Sequence, residues 1–89
     1  MRVTVHLQPV SDAQGRPEVE VVVPEGATVR RLIVHLCDQY PELAVHMYEN
    51  SGGITEYLIV FVNGQQVSDL DSVLDGLGDV LIIFPVGGG

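Results

Sequence analysis

Three features are scarce in this 89-residue sequence: long apolar runs, basic side chains and cysteine. The densest apolar runs, Leu58–Val62 and Val80–Phe84, are far shorter than the roughly 20 residues that a membrane-spanning helix needs. The 4 basic residues are outnumbered by 12 acidic ones, a net charge of −8, which argues against binding to nucleic acid or to an anionic membrane. A single cysteine excludes an internal disulfide bond and fits a reducing compartment.

The start of the chain, Met1–His6, alternates between polar and apolar residues, so we expect no secretory signal and a cytoplasmic location. A hydrophobic content of 46% argues against disorder, and the length suits one domain with a single core. The acidic balance favours a basic protein partner or simply promotes solubility.

Apolar and polar residues alternate in two early segments, Val3–Gln8 and Glu18–Val23, a period typical of half-buried strands. We expect these strands to pair antiparallel across the turn-rich connector 9–17. Further along, apolar residues recur every three or four positions, which predicts a helix capped by Thr28 and ended by Pro41. The apolar stripe of this helix consists of Val29, Leu32, Ile33, Leu36, Cys37 and Tyr40.

A β-hairpin is the clearest prediction in the second half of the chain. The β-branched and aromatic run Leu58–Val62 is followed by Asn63-Gly64, and both central residues of a type I′ turn need positive φ. Gln65–Val67 then forms the return strand. The closing run, Val80–Phe84, is apolar on both faces, so we expect it in the middle of the sheet and parallel to the first strand.

Shorter elements complete the predicted order. They are a helical turn anchored by Leu43 and Met47, an exposed loop at Ser51–Gly53, a helical turn at Ser68–Leu74 capped by Ser68 or Asp69, and a turn cluster at Asp75–Asp79. The whole order predicts an α+β fold, in which one main helix packs on one face of a mixed sheet of four to five strands. We expect residues 1–84 to form this domain and residues 85–89 to form a flexible tail.

The tail reads Pro85, Val86, Gly87, Gly88 and Gly89, directly after a strongly apolar strand. Glycine loses more conformational freedom on ordering than any other residue, so such a tail adds nothing to stability. Without Cβ atoms it can enter a narrow channel in another protein, and five extended residues reach on the order of 15 Å. We therefore expect the carboxylate of Gly89 to be the reactive group and the domain to be its carrier.

Five segments, taken in order, carry a family resemblance: Arg2-Val3-Thr4-Val5, Pro24-Glu25-Gly26-Ala27-Thr28-Val29, Tyr40-Pro41-Glu42-Leu43, Val60-Phe61-Val62-Asn63-Gly64 and Pro85-Val86-Gly87-Gly88-Gly89. Over its whole length the chain resembles the ubiquitin-like β-grasp fold, and its details resemble the sulfur-carrier branch of that family. This branch includes the small subunit of molybdopterin synthase, the thiamin-biosynthesis carrier and a carrier for cysteine synthesis. The family ends in Pro-Val, a small residue and Gly-Gly, so Gly88 and Gly89 match the working pair. The turn before the last strand departs from the family, because Leu77-Gly78 intervenes.

The resemblance implies that a ubiquitin-activating-like enzyme uses ATP to adenylate Gly89, and that a sulfur donor then leaves a thiocarboxylate there. The carrier would not be an enzyme and would hold no cofactor stably, and its sulfur would pass to a synthase or large subunit. Residues 85–88 would lie in the partner's channel. Molybdenum-cofactor assembly is the favoured pathway and cysteine synthesis comes next, while the long segment His46–Tyr57 argues against the thiamin route. Two other functions stay open: a modifier conjugated to lysines through the same tail, and a β-grasp binding module whose glycines are incidental.

A docking surface is predicted on the strand Leu58–Val62, whose side chains divide between two faces of the sheet. Ile59 and Phe61 share one face, and by analogy with the apolar patch of ubiquitin they would contact the partner. The alternative is that Phe61 belongs to the core.

The remaining candidates favour structural interpretations. Cys37 lies on the apolar stripe of the helix, so we expect it to pack in the core rather than to relay a persulfide. We expect no metal site, because ligand spacing is absent from His6, His35 and His46 and from Asp69, Asp71, Asp75 and Asp79. We also expect His6 to face solvent. Arg30 and Arg31 lie in the first helical turn, where the dipole disfavours cations, and partner contact is the only role suggested for them.

Overall fold

The two segments with alternating apolar residues form strands, and the segment with apolar residues every three or four positions forms a helix. The computed structural model describes residues 1–8, 18–49, 51–55, 57–74 and 79–83, apart from the side chain of His46. The strands are β1 (Arg2–Gln8), β2 (Glu18–Val22), β3 (Ile59–Val62), β4 (Gln65–Val67) and β5 (Asp79–Ile83). The helices are α1 (Val29–Gln39), a single 3₁₀ turn (Pro41–Leu43) and α2 (Ala44–Met47). None of the helices described here is long and apolar enough to cross a membrane.

The strands form one mixed sheet in the order β2-β1-β5-β3-β4. β1 pairs antiparallel with β2 and parallel with β5, while β3 pairs antiparallel with both β5 and β4. The predictions of a first hairpin and of a central closing strand parallel to β1 are therefore confirmed. In β5, Val80 and Ile82 are buried while Leu81 and Ile83 are half-buried, as the apolar run on both faces indicated.

Helix α1 packs its apolar stripe on one face of this sheet. The hydroxyl of Thr28 accepts a hydrogen bond from the backbone N–H of Arg31 at 3.2 Å, so the predicted N-cap is confirmed. Leu32, Ile33 and Leu36 are fully buried against the sheet. Together with the buried residues of β1, β2, β3 and β5 they form one core, and the predicted α+β fold is confirmed.

The end of α1 is tied to the outer edge of the sheet. The side-chain amide of Gln39 donates to the carbonyl oxygen of Val22, and the hydroxyl of Tyr40 donates to that of Glu20, both at 3.3 Å. Tyr40 is only half-buried and caps the helix, so it lies at the margin of the core, although the stripe pattern included it. These two bonds satisfy carbonyl groups that an edge strand leaves without a partner strand.

The turn between β3 and β4 has the predicted geometry. Asn63 has a φ of 51° and Gly64 a φ of 84°, so both central residues adopt the positive φ of a type I′ turn. The carboxamide oxygen of Asn63 accepts a hydrogen bond from the backbone N–H of Asp79 at 3.1 Å, and the N–H of Asn63 donates to the carbonyl of Asp79 at 2.9 Å. The turn is thereby fastened to the start of β5.

The prediction of a helical turn at Ser68–Leu74 is wrong. The segment forms a turn closed by the N–H of Ser72 on the carbonyl of Asp69 at 3.0 Å, and the carboxylate of Asp69 accepts from the N–H of Asp71 at 2.9 Å. The carbonyls of Leu70 and Ser72 instead accept from the first N–H groups of α1, at 2.7 and 3.0 Å. The segment serves as a backbone cap for α1, and those carbonyls are unavailable to a helix of its own.

The segment after α1 follows the sequence pattern. Leu43 and Met47 are buried at the 3₁₀ turn and α2, so the predicted short helical turn is confirmed. Ser51–Gly53 is exposed, as expected for a loop. The predicted turn cluster at 75–79 is described only at Asp79, and the boundary between domain and tail lies outside the described residues.

Candidate functional site

An apolar patch lies on the face of the sheet opposite α1, which we call the open face. Val60 is buried under the helix, so its neighbours in β3, Ile59 and Phe61, face the other way. Phe61 pairs with Leu81, and Ile59 pairs with Ile83 across the same two strands. The four side chains Ile59, Phe61, Leu81 and Ile83 form the apolar patch.

The structure places Phe61 outside the core. It is half-buried and does not belong to the buried cluster, whereas Leu58 and Val62, of the opposite parity, pack against that cluster. Ile59 is 39% exposed. The predicted division of the strand between two faces is therefore confirmed, and the core interpretation of Phe61 is wrong. Docking of a partner on this patch stays a prediction.

Charged residues border the patch on the β1 side. His6 pairs with Leu81 in the strand register and lies between two carboxylates, with Nδ1 3.2 Å from Glu18 and Nε2 3.7 Å from Asp79. The side chain of His6 is 40% exposed, so its predicted position facing solvent is confirmed. Contacts this exposed contribute little to stability, and the two carboxylates give the border a negative charge. Sequence inspection missed this cluster because only the parallel register of β1 and β5 brings Asp79 to His6.

Strand β5 ends within the apolar patch, two residues before the predicted reactive tail in the sequence. Ile83, the last residue of β5, pairs with Ile59 on one side and with Gln8 on the other. The last described residue of the chain therefore lies in the central strand of the sheet. The tail residues predicted to act, Pro85, Val86, Gly87, Gly88 and Gly89, lie outside the described residues.

A groove adjoins the patch at Ile59. It has a volume of about 540 Å³ and is lined by residues 54, 55, 58 and 59, by Gln66 and Val67 of β4, and by residues 68–70 of the following turn. Leu58, Val67 and Leu70 supply its apolar walls, and Arg30 stands at one side. Of the residues for which the sequence suggested partner contact, Ile59 and Arg30 line this groove.

Arg30 has a structural role that explains its position in the first turn of α1. Its Nε donates to Oδ1 of Asp71 at 3.0 Å, which links the helix to the turn that caps it. The hydrogen bond and charge of Arg30 lower the pKa of Asp71, and those of Asp71 raise the pKa of Arg30. Because both side chains are exposed, we assign this pair a positional role and little free energy of folding.

Cys37 is buried, as predicted. The residue is 8% exposed, and its thiol lies 3.6 Å from the sulfur of Met47, to which it donates. Burial raises the pKa of Cys37 to about 11, so the thiol stays protonated at neutral pH. A relay of persulfide sulfur needs an accessible thiolate, and the core interpretation is confirmed. Among the described residues, no three His, Cys, Asp or Glu side chains are grouped closely enough to hold a metal ion.

Comparison with known proteins places these features in a family. The family model described as the ThiS family matches residues 7–89, and no curated protein sequence matches the chain. The crystal structure of small archaeal modifier protein 1 (SAMP1) from Haloferax volcanii superposes with a TM-score of 0.81 at 24% identity, covering 100% of both chains.

Two further solved structures are similar. A chain of the BexX/CysO complex from Amycolatopsis orientalis gives a TM-score of 0.72 at 22% identity, over 98% of this chain and 99% of that one. A Pyrococcus furiosus protein with a proposed role as molybdopterin converting factor subunit 1 gives 0.64 at 25% identity, over 96% and 98%. The predicted likeness to ubiquitin-like β-grasp sulfur carriers is confirmed by the family match together with these structures.

Proposed function

Because the chain belongs to the ThiS family of ubiquitin-like sulfur carriers, we propose that it carries sulfur as a thiocarboxylate on Gly89. The observation that carries this proposal is the family match, which extends through residue 89 and so includes the tail. Fold likeness alone would not suffice, since one fold supports many functions.

The proposed chemistry proceeds in two displacements. In the first, an oxygen of the Gly89 carboxylate attacks the α-phosphorus of ATP in an activating enzyme, and pyrophosphate leaves. In the second, hydrosulfide released by a sulfur donor attacks the acyl carbon, a C–S bond forms, AMP leaves with the C–O electron pair, and loss of the proton from sulfur leaves the thiocarboxylate. Activation is necessary because a free carboxylate has no good leaving group. The partner enzymes supply catalysis, and the domain supplies position, which contributes roughly 7–11 kcal/mol when reacting groups are held together.

The apolar patch supports docking to such an enzyme. Phe61 offers an aromatic anchor of the kind that dominates many interfaces, and it pairs with Leu81 in β5, the strand that precedes the tail in the sequence. The border of Glu18, Asp79 and the neighbouring Glu20 favours a partner whose apolar pocket is surrounded by basic side chains. The chain's net charge of −8 would speed this encounter at low salt.

For the acceptor, we propose a synthase or large subunit of molybdenum-cofactor assembly, with cysteine synthesis as the next choice. The likeness to a protein described as a molybdopterin converting factor subunit supports the first, and the likeness to a chain of the BexX/CysO complex supports the second. The second of these comparisons also shows a protein of this fold crystallised with a partner.

A modifier conjugated to lysines of other proteins is the second candidate function. It is favoured by the full-length match to small archaeal modifier protein 1 from Haloferax volcanii. Both functions use the same activated tail and differ in the nucleophile that receives it.

Intact-mass measurement after activation tests the proposal. The chain is incubated with its activating enzyme, ATP and a sulfur donor, and we expect exchange of one oxygen for sulfur at Gly89. Lysine conjugates of other proteins without that exchange would support the modifier instead. An unchanged mass under every condition, with an enzyme shown to be active on another carrier, would contradict both.

A further inference from the structure

The chain contains no lysine. Its 4 basic residues are Arg2, Arg16, Arg30 and Arg31. A guanidinium group stays protonated at any pH that a protein survives, so arginine does not attack an acyl carbon as an amine does. In these 89 residues, the nitrogen nucleophile able to form a stable amide is therefore the α-amine of Met1.

The α-amine of Met1 is engaged in the sheet. As an ammonium group it donates to the carbonyl oxygen of Val23 at 2.8 Å, in a part-buried position. The N–H of Val23 donates back to the carbonyl oxygen of Met1 at 2.9 Å, so the pair continues the β1–β2 ladder by one step. To attack an acyl carbon, this amine must break its hydrogen bond and lose a proton.

The sulfur nucleophile of the chain, the thiol of Cys37, is also inaccessible. The thiol of Cys37, the one cysteine in the chain, is buried on the core side of α1 against Met47. An acyl group could reach it only if the core opened. Thiolate is the reactive form of cysteine, and burial raises the pKa of this thiol to about 11.

We propose that this chain is built so that it cannot accept its own activated carboxylate. The inference rests on the proposed function, because it concerns the fate of the activated Gly89. In the excluded reaction, an amine of one copy attacks the acyl carbon of another, an N–C bond forms, the leaving group departs with its electron pair, and the nitrogen loses a proton. Without an acceptor of this kind, activated carriers neither cyclise nor link into chains, and the acyl group survives until an external nucleophile takes it. Each acceptor amine of a target protein would consequently receive one copy and not a chain of copies.

A chemically activated full-length chain tests this inference without an activating enzyme. The chain is prepared with a small-molecule thioester at Gly89 and kept at about pH 9, where part of any lysine population is deprotonated. We expect the wild-type chain to yield only hydrolysed monomer by intact mass and denaturing gel. Arg31→Lys places an amine on an exposed position of α1 with unchanged charge, and we expect amide-linked dimers or a cyclic product. Arg31→Gln, the matched control, should behave as the wild type does.

Two results would overturn the inference. One is an amide-linked or cyclic product from the wild-type chain, including transfer of the acyl group to Cys37 with loss of the small thiol. The other is the absence of any such product from Arg31→Lys. Acylation of the Met1 amine by an activated acetate ester gives a second measurement. Because the ammonium group makes a charge-assisted hydrogen bond to Val23, we expect the folded chain to react roughly 10- to 150-fold more slowly than the chain in urea. Equal rates would show that the hydrogen bond to Val23 gives no protection.

Failure of the proposed function is detected separately. The wild-type chain is incubated with the activating enzyme, ATP and hydroxylamine, which traps an acyl-adenylate as a hydroxamate. If no hydroxamate forms, while the thioester experiment gives only hydrolysed monomer from the wild type and an amide-linked product from Arg31→Lys, enzymatic activation is contradicted. The inference that the chain does not accept its own activated carboxylate would then still hold.

Discussion

Replacement of Phe61 by alanine separates a docking residue from a core residue. In the sheet, Phe61 contacts the opposite strand through its pair with Leu81, and cross-strand pairs contribute about 0.2–1 kcal/mol. Truncation of a fully buried phenylalanine would instead cost about 3–5 kcal/mol. Since Phe61 is half-buried on the open face, we expect the free energy of unfolding to fall by about 1 kcal/mol or less.

Binding should respond far more strongly than stability. An aromatic anchor at the centre of an interface costs about 2 kcal/mol or more when truncated, which corresponds to roughly a 30-fold higher Kd. Titration calorimetry of the chain against its activating enzyme measures the Kd, and urea unfolding followed by circular dichroism measures the stability. Both measurements are made on the same preparation.

Two control variants show what is expected from a neutral surface change and from a change in the core. Val45→Ala removes an apolar side chain that is 77% exposed on α2, away from the patch, and should change neither quantity. Leu36→Ala empties a fully buried position and should cost about 2–5 kcal/mol of stability while the apolar patch stays intact. A Phe61→Ala chain that loses about 3–5 kcal/mol but keeps its Kd would refute the docking role. Unchanged stability with unchanged Kd would place docking elsewhere on the surface.

Three further predictions follow from the tail, the turn and the thiol. Gly88→Val adds a branched side chain in the proposed partner channel, so adenylation should be lost while the urea midpoint is unchanged; normal adenylation would refute this. Asn63→Ala should cost about 1–3 kcal/mol in urea unfolding, because alanine disfavours a φ of 51° and the hydrogen bond to Asp79 is lost, and Asn63→Gly should cost less. Alkylation of Cys37 by iodoacetamide should stay slow until the pH approaches about 11, because burial disfavours the thiolate. In urea the alkylation rate should rise near pH 9, the ordinary pKa of the thiol. Identical plots of rate against pH for the folded and the unfolded chain would contradict burial of the thiol.

Local sequence patterns predict the features that depend on residues close to one another in the sequence. The Thr28 cap, the apolar stripe of α1 and the Asn63-Gly64 turn each follow from neighbouring residues, and each is confirmed. The central place of β5 followed from its apolar residues on both faces. In these cases the local preference and the final fold agree.

The failures concern groups whose partners are distant in sequence. The sequence predicts a helical turn at Ser68–Leu74. In the structure, the carbonyls of this segment accept hydrogen bonds from the N–H groups of Val29 and Arg30, about forty positions earlier. The pairing of Arg30 with Asp71, across 41 residues, likewise has no local sign. The cluster around His6 depends on strand register, which a single sequence does not specify. The tail chemistry rests on family membership, since three glycines allow many conformations.

The two hydrogen bonds from the end of α1 to β2 also affect how the molecule behaves in a crowded solution. With the carbonyls of Glu20 and Val22 already occupied by Tyr40 and Gln39, an extended polypeptide that approaches this side finds few acceptors for a new ladder. The opposite margin, β4, is only three residues long. Among the strands that the structure describes, neither edge of the sheet therefore offers a template of useful length, so we expect the protein to resist fibril formation even at high concentration.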